Sequence, residues 1–203
     1  MRRVVAVVLA AGASTRLGFN KLCVRLNGEA VVRRTVRLFM TPAIDQIVVV
    51  TGFEAQRVEK ELSGLPVTFV HNEQRHDGMS SSIKAALPVI AGFDLALFHL
   101  GDKPLLAPET IGRLLRAYGS QGSSIVVATH EGVKGHPVLV DVKRHMGAME
   151  AIEGEWGLRD MIASAGAEAL FVEGGEGSVL DLDTEEDIAL LRRRGYTIEK
   201  GQG

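Results

Sequence analysis

The chain is poor in cysteine, in net charge and in long apolar runs, and each shortage excludes a class of protein. Cys23 is the one cysteine in 203 residues, so an intrachain disulfide framework is excluded and a reducing compartment is favoured. A net charge of -2 and a pI of about 6.3 do not give the basic surface of a general nucleic-acid-binding protein. No apolar run approaches the roughly twenty residues that span a membrane. We therefore expect a soluble, cytoplasmic protein that binds neither nucleic acid nor membrane.

What the chain has instead is an alternation of apolar runs and amphipathic segments. Strands are predicted at 4–9, 44–50, 66–71, 93–100, 124–128 and within 135–140, and helices at 31–39, 54–62, 80–90, 108–118 and twice within 143–165. The tail after Arg194 is predicted to be frayed. This alternation is typical of α/β proteins whose helices cover both faces of a mostly parallel sheet. We therefore predict one three-layer α/β/α, Rossmann-like domain over residues 1–203.

The first apolar run stops abruptly at a small, glycine-bearing and then basic loop. Small residues let a ligand lie against the backbone, and free backbone N–H groups can cradle a phosphate. The spacing matches neither the Walker phosphate loop nor the dinucleotide fingerprint G-x-G-x-x-G. A plain strand-to-helix turn with solvated basic residues is the alternative. The nucleotide-binding candidates of this loop are Leu9, Ala10, Ala11, Gly12, Ser14, Arg16 and Lys21.

Polar residues also lie at the carboxyl ends of later predicted strands. Ligands of α/β sheets sit outside the carboxyl ends of the strands, which makes Thr51 a candidate site residue. Asp102 follows another strand in a tight Gly/Pro turn, where its carboxylate is positioned to bind a hard cation such as Mg²⁺. Asp181 and Asp183 alternate on a further predicted strand and would share one face. One of them could meet Asp102 across the metal.

These motifs resemble those of the molybdopterin nucleotidyltransferase-like (MobA-like) family, and most of all its molybdenum cofactor cytidylyltransferase branch. Residues 9–21, Leu-Ala-Ala-Gly-Ala-Ser-Thr-Arg-Leu-Gly-Phe-Asn-Lys, resemble the family's signature loop. Asp102 stands where the family has the Mg²⁺-binding aspartate of Gly-Asp-Gln-Pro, although Lys103 replaces the glutamine. Residues 181–187 resemble the ending Asp-x-Asp-Thr-x-x-Asp. The resemblance implies a nucleotidyltransferase fold with Mg²⁺ held by Asp102 and by Asp181 or Asp183.

The resemblance also assigns roles to later loops. Asn72, Gly78 and Ser82 match a family asparagine and a Gly-Met-x-x-Ser cluster, which implies that this loop holds the nucleotide base and ribose. Three adjacent serines would equally cap an ordinary helix. His136 lies in a Gly-His-Pro-Val-Leu stretch shared with the branch, and it could approach the second substrate or be a structural histidine. Trp156, the one tryptophan, is open to assignment as core or as a ligand platform.

The implied reaction is nucleotidyl transfer, in which a terminal phosphate of the acceptor attacks the α-phosphorus of a nucleoside triphosphate and pyrophosphate leaves. Arg16, Lys21 and Asp102 are the catalytic candidates. By resemblance, the substrates are CTP and molybdopterin carrying molybdenum, and a recipient molybdoenzyme is a possible partner. Residues 1–110 would form the nucleotide-binding half, 111–195 the acceptor-binding half and 196–203 a tail.

Three alternatives stay open. The loop sequence Ala-Ala-Gly favours the cytidylyl branch over the guanylyl branch, which tends to Ala-Gly-Gly, but guanylyl transfer remains an alternative. A sugar-phosphate or alditol-phosphate nucleotidyltransferase would share the loop and the metal-binding aspartate. A non-catalytic chaperone that holds the molybdenum cofactor is a rival from another class. An oxidoreductase is disfavoured because the dinucleotide fingerprint is missing.

Overall fold

The computed structural model describes residues 2–13 and 17–200. The strands in these ranges are β1 Val4–Ala10, β2 Arg25–Leu26, β3 Glu29–Ala30, β4 Gln46–Thr51, β5 Thr68–His71, β6 Leu95–Leu100, β7 Ile125–His130, β8 Val133–Asp141, β9 Ala169–Glu173 and β10 Ile198–Glu199. The α-helices are α1 Val31–Arg37, α2 Ala55–Glu61, α3 Met79–Ile90, α4 Pro108–Ala117, α5 Val142–Ala151, α6 Arg159–Ser164 and α7 Glu185–Arg193. Within the described ranges, the predicted alternation of strands and helices is confirmed.

One seven-stranded sheet runs through both predicted halves of the chain, in the order β5-β4-β1-β6-β8-β7-β9. The pairs β5–β4, β4–β1, β1–β6 and β7–β9 are parallel, whereas β8 runs antiparallel to both of its neighbours. The mostly parallel sheet predicted from the sequence is therefore confirmed. The antiparallel strand follows from a tight hairpin between β7 and β8, in which Glu131 and Gly132 both have positive φ.

The central strand β1 explains why the fold has three layers. All its residues are buried, and successive side chains point to opposite faces of the sheet. One face packs against apolar side chains of α1, α2 and α4, and the other against those of α3, α5 and α6. The β-branched run that opens the sequence therefore fills two cores at once, which is the burial expected of a central parallel strand.

The C-terminal region departs from the prediction. Residues 179–183 form no strand, so the predicted strand there is wrong. The tail predicted to be frayed instead contributes β10, which pairs antiparallel with β2. Its apolar side chains join a third cluster, made of Leu17, Val24, Leu26, Val31, Leu182, Ile188 and Leu191. The end of the chain is therefore packed beside the loop that follows β1.

None of the described helices is long and apolar enough to cross a membrane.

Candidate functional site

The carboxyl ends of two neighbouring parallel strands form the wall of a cleft. β1 ends at Ala10 and β6 at Leu100, and the N–H of Gly101 donates to the carbonyl of Leu9 over 2.9 Å. The loops after these strands therefore leave the sheet side by side, as ligand-binding loops of α/β sheets do. They border a cleft of about 370 Å³. The sequence-predicted residues that line it are Leu9, Ala10, Ala11, Gly12, Lys21, Gly78, Ser82 and Asp102.

Gly12 leaves open space beside the backbone of the cleft. The residue is exposed, and a Cβ built on it would meet no atom of residues 2–13 and 17–200 within 4 Å. Space of this kind lets an anionic ligand approach the main chain. Ser14 and Arg16, the other polar candidates of this loop, lie outside the described residues.

Lys21 joins two carboxylates at the cleft. Its Nζ lies 2.5 Å from Oδ2 of Asp102 and 2.6 Å from Oδ1 of Asp183. Burial lowers the pKa of Lys21, but the charge of Asp102 and hydrogen bonds to both carboxylates outweigh it and raise the pKa above 10.5. Lys21 is therefore an ammonium at neutral pH and bridges the two acids.

The other oxygen of Asp102, Oδ1, is buried and has no hydrogen-bond partner among the described residues. A buried carboxylate oxygen without a partner is costly, and a bound cation would offset that cost. Residues 2–13 and 17–200 contain no group of three or more His, Cys, Asp or Glu side chains that could hold a metal ion. The pair Asp102 and Asp183 nevertheless fits Mg²⁺, which is typically held by one or two carboxylates together with substrate phosphates.

Asp181 and Asp183, between which the sequence did not choose, have different partners. Asp183 contacts Lys21, whereas Oδ2 of Asp181 lies 3.5 Å from Nζ of Lys103. Because no strand forms there, the expectation that the two acids share a face has lost its basis. The geometry brings Asp183, and not Asp181, to the ion pair at Asp102.

Backbone hydrogen bonds hold Asp183 in this place. The N–H of Leu182 donates to the carbonyl of Asp102 over 3.1 Å, and the Leu182 side chain is fully buried. The N–H groups of Asp183 and Thr184 both donate to Oδ2 of Asp187, within the capping box of α7. The carboxylate is therefore carried on a short segment that is fixed at both ends.

Asn72 connects the end of β5 to the start of α3. Its Nδ2 donates to Oγ of Ser81 and Ser82 over 2.9 and 3.0 Å, and its Oδ1 accepts the N–H of Gln74. The amide is therefore used in fixing the loop, and Asn72, although described, does not line the cleft. The serines serve Asn72 and do not cap α3, whose N-cap residue is Gly78, so the prediction of a serine cap is wrong.

Thr51 is likewise turned inwards. It is fully buried, and its Oγ1 donates to Oε1 of Glu59 over 3.1 Å. Although it ends β4 as predicted, this described residue does not line the cleft either. The structure therefore supports a positioning role for Thr51.

Gly78 is the point where two distant loops meet. Its φ is 88°, and a Cβ on it would lie 2.5 Å from the carbonyl carbon and oxygen of Gly154. Side chains rarely adopt this φ, and the contact leaves no room for a methyl group. A glycine is therefore needed to bring the 154–156 turn against the start of α3.

A second cavity, of about 810 Å³, adjoins the cleft and shares Met79, Leu100 and Glu155 with it. Apolar side chains supply much of its lining. The polar, charged and aromatic residues that line it are Lys103, Lys134, His136, Glu155, Trp156, Arg159, Asp160 and Asp181. A cavity of this size can hold a substrate larger than a simple phosphate.

His136 reaches this second cavity, where the sequence predicted an acceptor contact. Its Nδ1 lies 3.4 Å from the carbonyl oxygen of Phe98. Burial, reinforced by the charge of Lys103, lowers the pKa of His136 to about 4. The imidazole is therefore neutral at pH 7 and offers a hydrogen bond but no charge.

Trp156 belongs to the cavity and not to the core. It is 59% exposed, and the Arg159 guanidinium lies 5.4 Å from the centroid of its ring. Because its ring is exposed and lies beside a cation, Trp156 is suited to stack on a planar ligand.

Several residues that line the cleft or the second cavity were not predicted from the sequence. Arg75 borders the cleft that Asp102 lines, and its Nε is buried with no partner among the described residues. Its position in a polar loop after a strand was an available signal. Lys134 and Arg159 border the second cavity, yet no spacing in the sequence connects them, because α5 and two turns separate them along the chain.

Comparisons with known proteins bear on the family and the fold of the chain. The model of the MobA-like NTP transferase domain matches residues 6–169. The chain is 25% identical to a molybdenum cofactor cytidylyltransferase of Escherichia coli (strain K12), over 97% of this chain and 99% of that protein. It is 29% identical to a nicotine blue oxidoreductase of Paenarthrobacter nicotinovorans, over 77% of this chain and 79% of that protein. Among solved structures, a nucleotidyl transferase from Methanothermobacter thermautotroptrophicus superposes with a TM-score of 0.81 at 25% identity, covering 95% of this chain and 97% of that one.

Proposed function

Because the chain belongs to the MobA-like NTP transferase family and is a nucleotidyltransferase, we propose that it transfers CMP from CTP to molybdopterin carrying molybdenum. Pyrophosphate is the second product, and Mg²⁺ is the proposed cofactor. The choice of substrates is supported by the Escherichia coli relative, which aligns over nearly the whole length of both chains. A relative named as an oxidoreductase also exists, but the sequence lacks the dinucleotide fingerprint.

The observation that carries the proposal is the meeting of two cavities at the end of β6. Asp102 lines the smaller cleft and the next residue, Lys103, lines the larger cavity. A triphosphate in the first and an acceptor in the second would therefore lie side by side. Holding two reactants in this way converts an encounter in solution into a step within one complex.

In the proposed reaction, an anionic oxygen of the acceptor's terminal phosphate forms a bond to the α-phosphorus of CTP. The bond from that phosphorus to the oxygen bridging to the β-phosphate breaks, and pyrophosphate carries away the electron pair. The acceptor oxygen is already anionic, so no covalent nucleophile is required of the protein. The protein must position the two phosphates and balance their charge.

On the nucleotide side, the backbone of residues 9–13 would cradle the triphosphate, and Lys21 would turn from the carboxylates to a phosphate. Arg16 and Ser14 retain their proposed places in the same loop, outside the described residues. Arg75, whose buried Nε has no partner among the described atoms, is a further phosphate or ribose contact.

Asp102 and Asp183 would hold Mg²⁺, which when bound would withdraw charge from the phosphate oxygens. The buried Oδ1 of Asp102 is the atom best placed for that role. Asp181 pairs with Lys103, so we do not propose it as a metal ligand. His136 is proposed to form one hydrogen bond with the acceptor substrate, as donor or as acceptor of the bond, because it is neutral and lines that cavity.

The test is pyrophosphate release with Mg²⁺, measured for CTP, GTP, ATP and UTP, with and without molybdenum-loaded molybdopterin. We expect release with CTP that depends on the acceptor. Release with GTP would reassign the chain to guanylyl transfer. Release that requires a sugar phosphate or an alditol phosphate would replace the acceptor. Cofactor binding with no release from any nucleotide would instead identify a molybdenum cofactor chaperone.

A further inference from the structure

Asp102 and Lys103 are consecutive residues that serve two different cavities. The Asp102 carboxylate borders the nucleotide cleft, whereas the Lys103 side chain borders the larger cavity. Two hydrogen bonds fix the backbone of this turn, since the N–H of Lys103 donates to the carbonyl of Leu100 and the carbonyl of Lys103 accepts from Nε2 of His99. The Lys103 side chain therefore marks the boundary where the acceptor would reach the nucleotide.

Lys103 is a buried cation with an incomplete set of partners. Its side chain is 6% exposed. Its Nζ donates to the carbonyl of Val179 over 2.8 Å and lies 3.5 Å from Oδ2 of Asp181, a side chain that is 42% exposed. An ammonium has three N–H donors, and burying it is costly unless it is well paired. The described residues supply two partners of the Lys103 ammonium, so we expect its third donor to be available to an acceptor oxygen in the cavity.

The other charges around this cavity lie at its rim. Lys134, Glu155, Arg159 and Asp160 are all exposed, so water and salt screen their fields. The neighbouring His136 is neutral at pH 7, since burial and Lys103 lower its pKa to about 4. Of the positive charges that line the cavity, Lys103 is therefore the least screened, because it is buried whereas Lys134 and Arg159 are exposed.

We propose that Lys103 is the residue that makes this cavity specific for a phosphate monoester on a planar, heterocyclic or aromatic body. Its ammonium donates to the monoester oxygen at the inner end, while Trp156 at the rim stacks on the body. The assignment of the occupant as the transfer acceptor rests on the proposed function. The recognition of a phosphate monoester by Lys103 does not.

The test uses Trp156, the chain's one tryptophan, as a fluorescent reporter of the cavity. The full-length protein is titrated with phenyl phosphate, with CTP and EDTA present to occupy the nucleotide cleft without turnover. Phenol serves as the uncharged probe. We expect saturable quenching by phenyl phosphate, and a Kd that rises roughly 10- to 100-fold in Lys103→Gln, as loss of a hydrogen bond between charged groups requires. Phenol should bind both proteins alike.

Two variants keep the outcome interpretable. Lys134→Gln removes an exposed lysine from the rim of the same cavity, and we expect it to change the Kd less than about threefold. Asp181→Asn removes the loose counter-charge of Lys103, and we expect it to tighten phenyl phosphate binding. An unchanged Kd in a folded Lys103→Gln protein, or equal losses in Lys103→Gln and Lys134→Gln, would overturn the proposal. If Lys103→Gln fails to fold, weaker or unchanged binding by Asp181→Asn overturns it instead.

Kinetics then separate this inference from the proposed function. If CTP transfer occurs, Lys103→Gln should raise the KM of the acceptor and leave the KM of CTP within about twofold. Absence of transfer in the wild-type protein would reject the proposed function and leave the fluorescence result standing. Transfer with an unaltered acceptor KM in Lys103→Gln would reject Lys103 as the specificity residue.

Discussion

Asp102 lines the smaller cleft next to Lys103, which lines the larger cavity, and the two oxygens of Asp102 have different surroundings. Oδ2 is paired with Lys21, while the buried Oδ1 has no partner in the described part of the chain. We expect Asp102→Ala to lower kcat about 100-fold or more, because the carboxylate is proposed to hold the charge that balances the reacting phosphates. The measurement is pyrophosphate release at saturating substrates, with thermal unfolding to check the fold. Asp94→Asn, which removes a carboxylate that pairs with Lys143 far from the cleft, should keep the wild-type kcat, and a wild-type rate in Asp102→Ala would reject the metal role.

Lys21 occupies the space between the carboxylates that a divalent cation would share with it. Its replacement should therefore have two opposite effects. We expect Lys21→Ala to weaken CTP binding roughly 10- to 100-fold, since a charge-assisted hydrogen bond is lost. We expect the same variant to bind Mn²⁺ alone more tightly than the wild-type protein, because Asp102 and Asp183 no longer have a competing ammonium. Calorimetric titrations with each ligand measure both.

Lys143→Ala is the matched control, because Lys143 is an exposed lysine that pairs with Asp94 far from the cleft. It should change neither affinity. Unchanged CTP affinity in Lys21→Ala would remove Lys21 from the phosphate site, and unchanged Mn²⁺ affinity would show that Lys21 does not compete with the ion.

At the scale of elements, the site depends on a contact between the start of α3 and the turn at 154–156. Gly78 makes this contact with a φ of 88° and no space for a Cβ. Gly64 offers a comparison, because its φ of 80° is similar but a Cβ there would meet nothing within 4 Å. An alanine would therefore strain the backbone at both positions, but it would clash with neighbouring atoms only at position 78.

We expect Gly64→Ala to lower the free energy of unfolding by about 1 kcal/mol, the cost of a left-handed alanine. Gly78→Ala should lower it by at least about 2 kcal/mol more and should also raise the KM of both substrates, because Met79 and Glu155 border both cavities. Urea unfolding and initial rates give these quantities. Equal losses of stability in the two variants would mean that the turn is not held against α3.

The C-terminal elements also contribute to the site. α7 and β10 pack on the segment that follows the loop after β1, and the residues before α7 bring Asp183 to Lys21. The family model ends at residue 169, so this carboxylate comes from outside the matched region. The end of the chain therefore supplies both a wall and a charge to the site.

At the scale of the whole molecule, buried histidines make stability depend on pH. Burial lowers the pKa of His99 to about 3 and that of His136 to about 4, whereas an unfolded histidine titrates near 6.5. The unfolded chain therefore takes up protons that the folded chain cannot, and stability is complete above pH 6.5 and lost as the pH falls below it. We expect the free energy of unfolding to fall between pH 6.5 and 4.5 by up to about 1.4 kcal/mol per pH unit for each histidine.

Urea unfolding at pH 7.0, 5.5 and 4.5 measures this slope, and His136→Gln should reduce it. His130 is the control, because Glu173 raises its pKa and its partly exposed ring would give only a weak dependence of opposite sign. A stability that is flat over this range would show that His99 and His136 take up protons in the folded protein.

Much of the fold and part of the site follow from the sequence alone. The unbroken apolar run at residues 4–9, four of them valine, favours a strand that is buried on both faces, and such a strand is typical of a three-layer sheet. The small residues after it and Asp102 after β6 were expected at one edge of the sheet, because parallel strands place their carboxyl ends there, and the pairing of β1 with β6 brings them together. Local pattern and strand direction were enough for these predictions.

Only the tertiary structure decided between residues whose local patterns are alike. Asp181 and Asp183 alternate in the sequence, yet Lys103 pairs with the first and Lys21 with the second. Segments that are far apart in the chain line the second cavity, so no local spacing predicts that Trp156 belongs to it. The physical reason is that local sequence constrains backbone periodicity, whereas the partner of a charge depends on which distant segments pack beside it.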